Sequence, residues 1–454
     1  MIKSTMDRRE FLKAAGLAAA AAVALPGPRT WAAKPAAASP KRFCDPGRKL
    51  RLACVGCGGK GDSDIDGVAS EEIVALCDVS HNPLASKARR FPDAKQYKDY
   101  RQMLTELGDQ IDAVTVSTPD HMHFPVAFMA MNMGKHVFVQ KPLTHTVWEA
   151  RTLTDLARQK GLVTIMGNQG HAGDGTRRLK EWVMAGAVGP IHEVYFWTNR
   201  PIWPQGIERP ADEQPVPPFL DWNRWLGVAP ERPYNKCYQP FNWRGWWDFG
   251  TGALGDMGCH IMDAAFWALD LKYPVSVEAE SGGGTDETAP KWSIITYQFP
   301  ARGAMPPVKV TWSDGGRKPE KPKDMAAMGD MPAGGQLLVG ENGSIFDGSD
   351  YCESPRIVPE EKMKAFTPPP ETLPRVPGGA GGHCHEWIKA CKGQGPLPGS
   401  NFDHAGPLTE MVVMGNLAVR LGKKVEWDGP NMRVANLPDL NEWVQRPYRK
   451  GWTA

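Results

Sequence analysis

Short apolar runs recur through the first third of the chain, each set off by turn residues. Leu50–Val55 is followed by "EIVALCDVS" (Glu72–Ser80), "DAVTVSTP" (Asp112–Pro119), "KHVFVQKP" (Lys135–Pro142) and "LVTIM" (Leu162–Met166). Runs of this length read as buried strands. Between two of them, "HFPVAFMAMNMG" predicts a helix that ends at Gly134. Strands alternating with helices make a parallel sheet, so the first half is read as α/β.

The first run leads directly into Gly56-x-Gly58-x-x-Gly61, and the second carries Asp78 at its end. Strand, glycine turn, helix and a second strand ending in an acid form the fingerprint of a dinucleotide site. Gly56 permits the tight turn, Gly58 lets the backbone approach the pyrophosphate, and Gly61 lets the helix pack close. The helix N-terminus faces the phosphates. Asp78 accepts hydrogen bonds from the ribose hydroxyls and repels a 2′-phosphate, which favours NAD over NADP. The segment after Gly61, "DSDIDGVAS", is acidic and low in helix propensity. Ligands of parallel sheets lie outside the carboxyl ends of the strands. The cofactor contacts expected there are Gly56, Gly58, Gly59, Gly61, Asp78, Ser117, Thr118, Pro119, His123, Gln140, Lys141 and Asn168. His121 and His123 read either as a metal pair or as loop residues near the nicotinamide.

The remaining chain changes the picture in three places. First, "DRREFLKAAGLAAAAAVALPGPRTWAA" joins Arg8 and Arg9 to a short alanine-rich run, Ala14–Leu25. That run is too short to span a bilayer, which takes about 20 apolar residues. Residues 1–38 are therefore expected to be a twin-arginine export signal and linker, giving a periplasmic or extracytoplasmic address. No later segment is apolar for long enough to span a membrane. Second, the formal charge is only +2, which leaves no electrostatic footprint for nucleic acid. The nine cysteines show no paired zinc spacing, and Cys54, Cys57, Cys77 and Cys259 read as buried thiols. Third, seven of the 17 tryptophans fall between Trp197 and Trp247. Such rings fill cores, and they also stack on the C–H faces of sugars.

The stretch "GTGALGDMGCH" (Gly250–His260) sets Asp256 and His260 four residues apart, on one face of a helix. Alone, that pattern also suits a capping acid and a core histidine. Asn168 and Gln169 either touch substrate hydroxyls or hold a strand end. His383 and His385 begin a C-terminal helix and lie two apart, off a common face. Residues 314–335 and 351–382 are rich in Pro, Gly and charge and read as long surface loops.

From about Lys49 to Glu426 the chain resembles the Gfo/Idh/MocA (glucose–fructose oxidoreductase / inositol dehydrogenase) superfamily. The resemblance rests on the glycine turn Gly56–Gly61, "QKP" at Gln140–Pro142, "GNQ" at Gly167–Gln169 and "GTGALGDMGCH". "NRPIWPQG" and "HEWIKACKG" look like an exported branch of it. The family's second element is usually Glu-Lys-Pro, so Gln140 is a departure. The resemblance implies an NAD-binding Rossmann domain (49–170), an α+β domain with a large open, mostly antiparallel sheet (171–430), and a C-terminal tail (431–454). It implies homo-oligomer contacts through that sheet. It places His260 as general base, Lys141 as the charge that favours an alkoxide-like oxygen, and Asp256 as the residue that orients or polarises the site. Gln169, Trp203, Arg244 and Trp247, with Lys141, Asp256 and His260, are expected at a carbohydrate substrate. Arg200 belongs with these specificity candidates. Asp263 is either a partner behind the site or a helix-surface acid. No resident metal is expected. Three functions follow: an exported NAD-dependent oxidoreductase acting on a sugar, sugar acid or glycoside; an NAD-dependent glycoside hydrolase with no net redox change; or a non-catalytic sugar- or cofactor-binding protein.

Overall fold

The computed structural model describes residues 41–326 and 329–452. The expected export signal lies outside the described residues. The first sheet has six strands: β1 (Arg51–Val55), β2 (Glu72–Cys77), β3 (Lys95–Tyr97), β4 (Ala113–Val116), β5 (His136–Val139) and β6 (Thr164–Met166), in the order β3-β2-β1-β4-β5-β6. All pairs are parallel. Burial on both faces is what the continuous apolar runs require. The helices between them are α1 (Lys60–Gly67), α2 (His81–Arg90), α3 (Tyr100–Leu107), α4 (His123–Asn132) and α5 (Val147–Lys160).

Helix α1 forms in spite of its composition, because its acids are tied down. Asp64 turns inward and accepts from Lys60 (2.5 Å), Ser117 (2.7 Å) and Gln140 (2.9 Å). Asp62 and Asp66 both pair with Lys87 of α2. Tertiary contacts outweigh intrinsic propensity here.

The second sheet has nine strands. They are β7 (Ile191–Trp197), β8 (Ser276–Gly282), β9 (Trp292–Phe299), β10 (Val308–Ser313), β11 (Gly335–Gly340), β12 (Gly343–Asp347), β13 (Arg356–Val358), β14 (Val425–Asp428) and β15 (Arg433–Val434). Their order is β13-β12-β11-β7-β10-β9-β8-β14-β15, and every pair but β7–β10 is antiparallel. Around it lie α6 (Asp174–Met184), α7 (Trp222–Leu226), α8 (Gly252–Ile261), α9 (Asp263–Ala268), α10 (Glu360–Ala365), α11 (His383–Cys391) and α12 (Phe402–Leu421).

Two sequence expectations change. Residues 351–382 are not only loop, since β13 extends the sheet and α10 follows it. Residues 431–454 are not only a tail, since β15 pairs with β14. The chain also returns to the first sheet late: Trp387, Ile388 and Cys391 of α11 pack with Leu50, Leu52, Phe138 and Ile165. Helix α12 is buried along most of its length. Asn401 caps it by accepting from the Asp403 N–H, and the left-handed Gly422 ends it. All nine cysteines are free thiols. Among the described residues no helix is long and apolar enough to cross a membrane.

Candidate active site

One continuous cleft of about 940 Å³ runs from the glycine turn to Asp256 and His260 of α8. At its first end the turn is built as the spacing predicts. Gly56 has φ +91°, and a Cβ there would lie 2.4 Å from the Ser117 carbonyl oxygen. A Cβ on Gly61 would lie 2.2 Å from the Gly56 carbonyl oxygen. Only glycine fits either position. Asp78 sits beside the turn, its carboxylate accepting from the Cys57 and Ser80 backbone N–H groups, each at 2.8 Å. Burial pushes its carboxyl up, and those two N–H groups oppose the shift.

This end has a roof. Phe219 and Leu220 line it from a segment stitched to the Asp78 loop by His81 N–H to Phe219 O (2.7 Å) and Asp221 N–H to Val79 O (2.9 Å). Trp225 lines it from α7, and Trp452 from the end of the chain. Trp452 is almost fully covered, and the Arg101 guanidinium lies 4.0 Å from its ring centroid. Arg449 anchors the same segment to Gly227 O and Asn223.

At the other end the chemistry gathers. Lys141 Nζ donates to Asp256 twice, to the carboxylate Oδ1 (2.9 Å) and to the backbone oxygen (2.6 Å). Arg244 Nε donates to the same Oδ1 at 2.9 Å. Burial pushes the Asp256 carboxyl up, but the charges of Lys141 and Arg244 outweigh it and hold it at about 2. Burial, helped by the charge of Lys141, pushes His260 down to about 3. The site therefore presents a neutral imidazole beside an ammonium–carboxylate–guanidinium cluster. The His260 Nδ1 is buried without a hydrogen-bond partner. Tyr351 packs edge-on against the His260 ring, with centroids 4.9 Å apart and planes at 85°.

Gln140 explains its own departure from the usual glutamate. Its amide donates to the Asp64 carboxylate of α1 at 2.9 Å. A glutamate at 140 would set two carboxylates against each other.

Most of the expected residues line the cleft: Gly56, Gly58, Gly59, Asp78, Ser117, Thr118, Pro119, Gln140, Lys141, Gln169, Arg200, Trp203, Arg244, Asp256 and His260. Four do not. Gly61 lies under the turn against Gly56. His123 is buried, with its ring nitrogens 2.8 Å from the Thr118 and Pro142 carbonyl oxygens, so it braces two strand ends rather than touching cofactor. Asn168 is fully buried, donating to Asp263 and Cys259 O and accepting from Ser400. Trp247 points away, donating to Thr285 O and packing on Arg420. Most tryptophans of the 197–247 stretch fill cores, while Trp203, Trp225 and Trp243 line the cleft. Tyr351, Phe241, Trp452 and the buried Asp120, which accepts from Thr251 at 2.6 Å, carried no local sequence signal as site residues.

Asp263 is the partner behind the site. It accepts from His171 Nδ1 (2.8 Å), His404 Nε2 (2.7 Å) and Asn168 (3.0 Å), tying the start of α9 to the segment after β6 and to α12. The ligand-type atoms of His171, Asp263 and His404 lie within 4.8 Å of one another, and the two hydrogen bonds to Asp263 account for the spacing. The ring nitrogens of His121 face the Phe249 and Trp225 carbonyls, and His383 Nε2 faces Met166 O.

The residues present fit a dinucleotide. Gly59 lines the cleft with nothing within 4 Å of where its Cβ would stand, Asp78 faces the cleft, and Thr118 Oγ1 and Gln169 Oε1 are buried polar atoms without partners. Comparison with known proteins agrees. Residues 50–168 match the oxidoreductase family model described as an NAD-binding Rossmann fold, and residues 191–305 match the family's C-terminal alpha/beta domain. D-glucoside 3-dehydrogenase of Escherichia coli is 27% identical over 263 residues, 55% of this chain and 63% of that protein. A glycosyl hydrolase family 109 protein of Shewanella pealeana is 34% identical over 173 residues, 34% of this chain and 37% of that protein. The chain spans about half the length of the curated relatives it matches. The WlbA dehydrogenase of Bordetella pertussis, solved with NADH and UDP-GlcNAcA, shares the fold with a TM-score of 0.59 at 17% identity, over 84% of this chain and 99% of that one. Matched in both domains, with the glycine turn, Lys141, Asp256 and His260 converging on one cleft, the chain belongs to the Gfo/Idh/MocA oxidoreductase family and carries its NAD-binding Rossmann domain.

Proposed function

We propose that the protein is an exported NAD-dependent oxidoreductase acting at a carbinol carbon of a sugar, sugar acid or glycoside, and that it keeps its NAD bound through turnover. The observation that carries this reading is the meeting of neutral His260 with Lys141 and Asp256 at one end of a cleft whose other end is the dinucleotide turn. Bound NAD supplies the two-electron acceptor. His260 takes the hydroxyl proton; burial keeps it unprotonated and ready to accept at physiological pH, at a cost in base strength that charge stabilisation by Lys141 on the substrate oxygen must offset. The Lys141 ammonium, fixed by Asp256, stabilises charge on the substrate oxygen. Gln169 offers an unpartnered acceptor to a neighbouring hydroxyl. The roof of Phe219, Leu220, Trp225 and Trp452 supports retention of NAD, which suits an address where no pool of free NAD is evident. The twin arginines Arg8 and Arg9 support that address. Homo-oligomer contacts fit the outward face of β9, where Trp292, Ile294, Thr296 and Gln298 are partly exposed.

A redox-neutral glycoside hydrolase is the second reading. It is favoured by the same roof, because a cycle that ends with NAD in its starting state needs no exchange. Incubation of NAD-loaded protein with glycosides separates the two. Accumulation of reduced cofactor supports the oxidoreductase, and aglycone release without accumulation supports the hydrolase. If neither occurs with any sugar, both readings fail.

A further inference from the structure

The substrate end of the cleft holds three cations, Lys141, Arg200 and Arg244. Only one carboxylate lies at contact distance of any of them. Asp256 pairs with both Lys141 and Arg244, and among the described residues Arg200 makes no ion pair. Two further acids lie nearby, Asp120 and Asp350. Neither makes an ion pair among the described residues; burial pushes both carboxyls up, while the charges of Lys141 and Arg244 act on Asp120, and that of Arg200 on Asp350, in the opposite sense.

The Arg244 fork is held in one orientation. Its guanidinium lies 4.3 Å from the Phe241 ring centroid, 4.4 Å from Trp243 and 5.9 Å from Trp203. Nε is used by Asp256 and one Nη1 hydrogen by Phe241 O. The Nη2 group has no protein partner among the described residues, and Arg244 lines the cleft. Arg200 spends one donor on Asn199 and keeps the rest. The free Nη2 donors of Arg244 and the largely uncommitted fork of Arg200 together match a carboxylate. Acceptors suited to sugar hydroxyls are also present, in the second Asp256 oxygen and in Gln169 Oε1.

We propose that the substrate is a sugar acid, a ring bearing a carboxylate, and that Arg244 and Arg200 bind the carboxylate while Trp203, Phe241 and Trp243 hold the ring. This rests on the sugar oxidoreductase reading above and narrows it. A neutral sugar would leave guanidinium donors unmatched in a partly desolvated wall. A carboxylate fills them.

Paired ligands test this on the NAD-loaded protein. Methyl β-D-glucuronide is titrated against methyl β-D-glucoside, and D-galacturonate against D-galactose, with tryptophan fluorescence as the readout. The acid of each pair is expected to bind about tenfold or more tighter, since hydrogen bonds to charged groups are the strong ones. The preference is expected to shrink in Arg200→Gln and at high salt. Neutral partners binding equally or more tightly would overturn the proposal, as would an unchanged ratio in both Arg200→Gln and Arg244→Gln. Tighter binding of D-glucose 6-phosphate than of D-glucuronate would overturn the carboxylate assignment. If neutral sugars bind and reduce the cofactor while acids do neither, the oxidoreductase stands and the sugar-acid assignment falls. If no sugar of either series binds, both fall.

Discussion

The two ends of the cleft are built by opposite means. The dinucleotide turn is local: Gly56, Gly61 and Asp78 lie within one strand–turn–helix–strand unit, with Gly61 packed on Gly56 and Asp78 held by the Cys57 and Ser80 N–H groups, and only its roof and the Ser117 carbonyl against Gly56 come from farther along the chain. The substrate end is assembled from distant segments, with Lys141 from the end of β5, Arg244 from a turn before α8, Asp256 and His260 from α8, and Tyr351 from beyond β12. A local unit tolerates change elsewhere in the chain. An assembled site depends on charges that meet only in the folded state, and its electrostatics are correspondingly extreme. Asp256 is held at about 2, and His260 at about 3.

The contrast is broken most strongly at His260. His260→Ala is expected to lower turnover by about 10²–10⁴ and to leave NAD binding almost unchanged, because proton transfer is lost while the dinucleotide end is untouched. Steady-state kinetics and NAD titration on one preparation check both halves. At the other end, Asp78→Ala is expected to weaken NAD by about 1.5–3 kcal/mol and narrow the preference over NADP, with maximal turnover at saturating cofactor little changed. Equal binding of the two cofactors by the unaltered protein would remove Asp78 from this role.

Gln140→Glu tests the junction between the ends. It faces Asp64, so a loss of about 1–3 kcal/mol at neutral pH is expected from two apposed carboxylates. Repulsion between the apposed carboxylates would raise the folded-state pKa of the introduced glutamate above its unfolded value. The loss is therefore present at neutral pH and recovers as pH falls and the two share a proton. Thermal melts at several pH values show this recovery or its absence. Trp452→Ala opens the roof, and removal of one buried aromatic is expected to raise the NAD off-rate by about 10- to 150-fold, from roughly 1.5–3 kcal/mol of buried apolar surface. A stopped-flow chase with excess competing nucleotide measures it. The smallest effect is a flat one. With His260 down at about 3, the rate–pH profile at saturating substrate is expected to cross the ordinary histidine range without a limb from this residue. A His260-dependent limb near pH 6.5 would contradict the neutral-imidazole assignment.

Legibility in the sequence follows the same division. Strands β1, β2, β4, β5 and β6, the glycine turn and Asp78 are readable because apolar period, turn chemistry and spacing are short-range signals. Lys141, Asp256 and His260 are readable only because they stand in motifs whose order the resemblance supplies. Adjacency misleads where side chains diverge. Asn168 adjoins Gln169, yet it turns into the Asp263 network. Trp247 follows Trp246 but packs on Arg420. The roof was not readable, because Phe219, Trp225 and Trp452 meet only through tertiary hydrogen bonds such as His81 N–H to Phe219 O. Tyr351 lies in a stretch whose composition says loop, and its approach depends on Gly170, where a Cβ would meet it at 3.0 Å.

The central claim is that this cleft holds NAD and uses it on a sugar without letting it go. The direct measurement is mass spectrometry of nucleotide released by denaturing the freshly purified protein, paired with the near-ultraviolet spectrum of the native protein before and after addition of the paired sugars. The account expects NAD close to one per chain, and reduction of that bound NAD by sugar with none added. An empty site, with turnover only when free NAD is supplied, would contradict it.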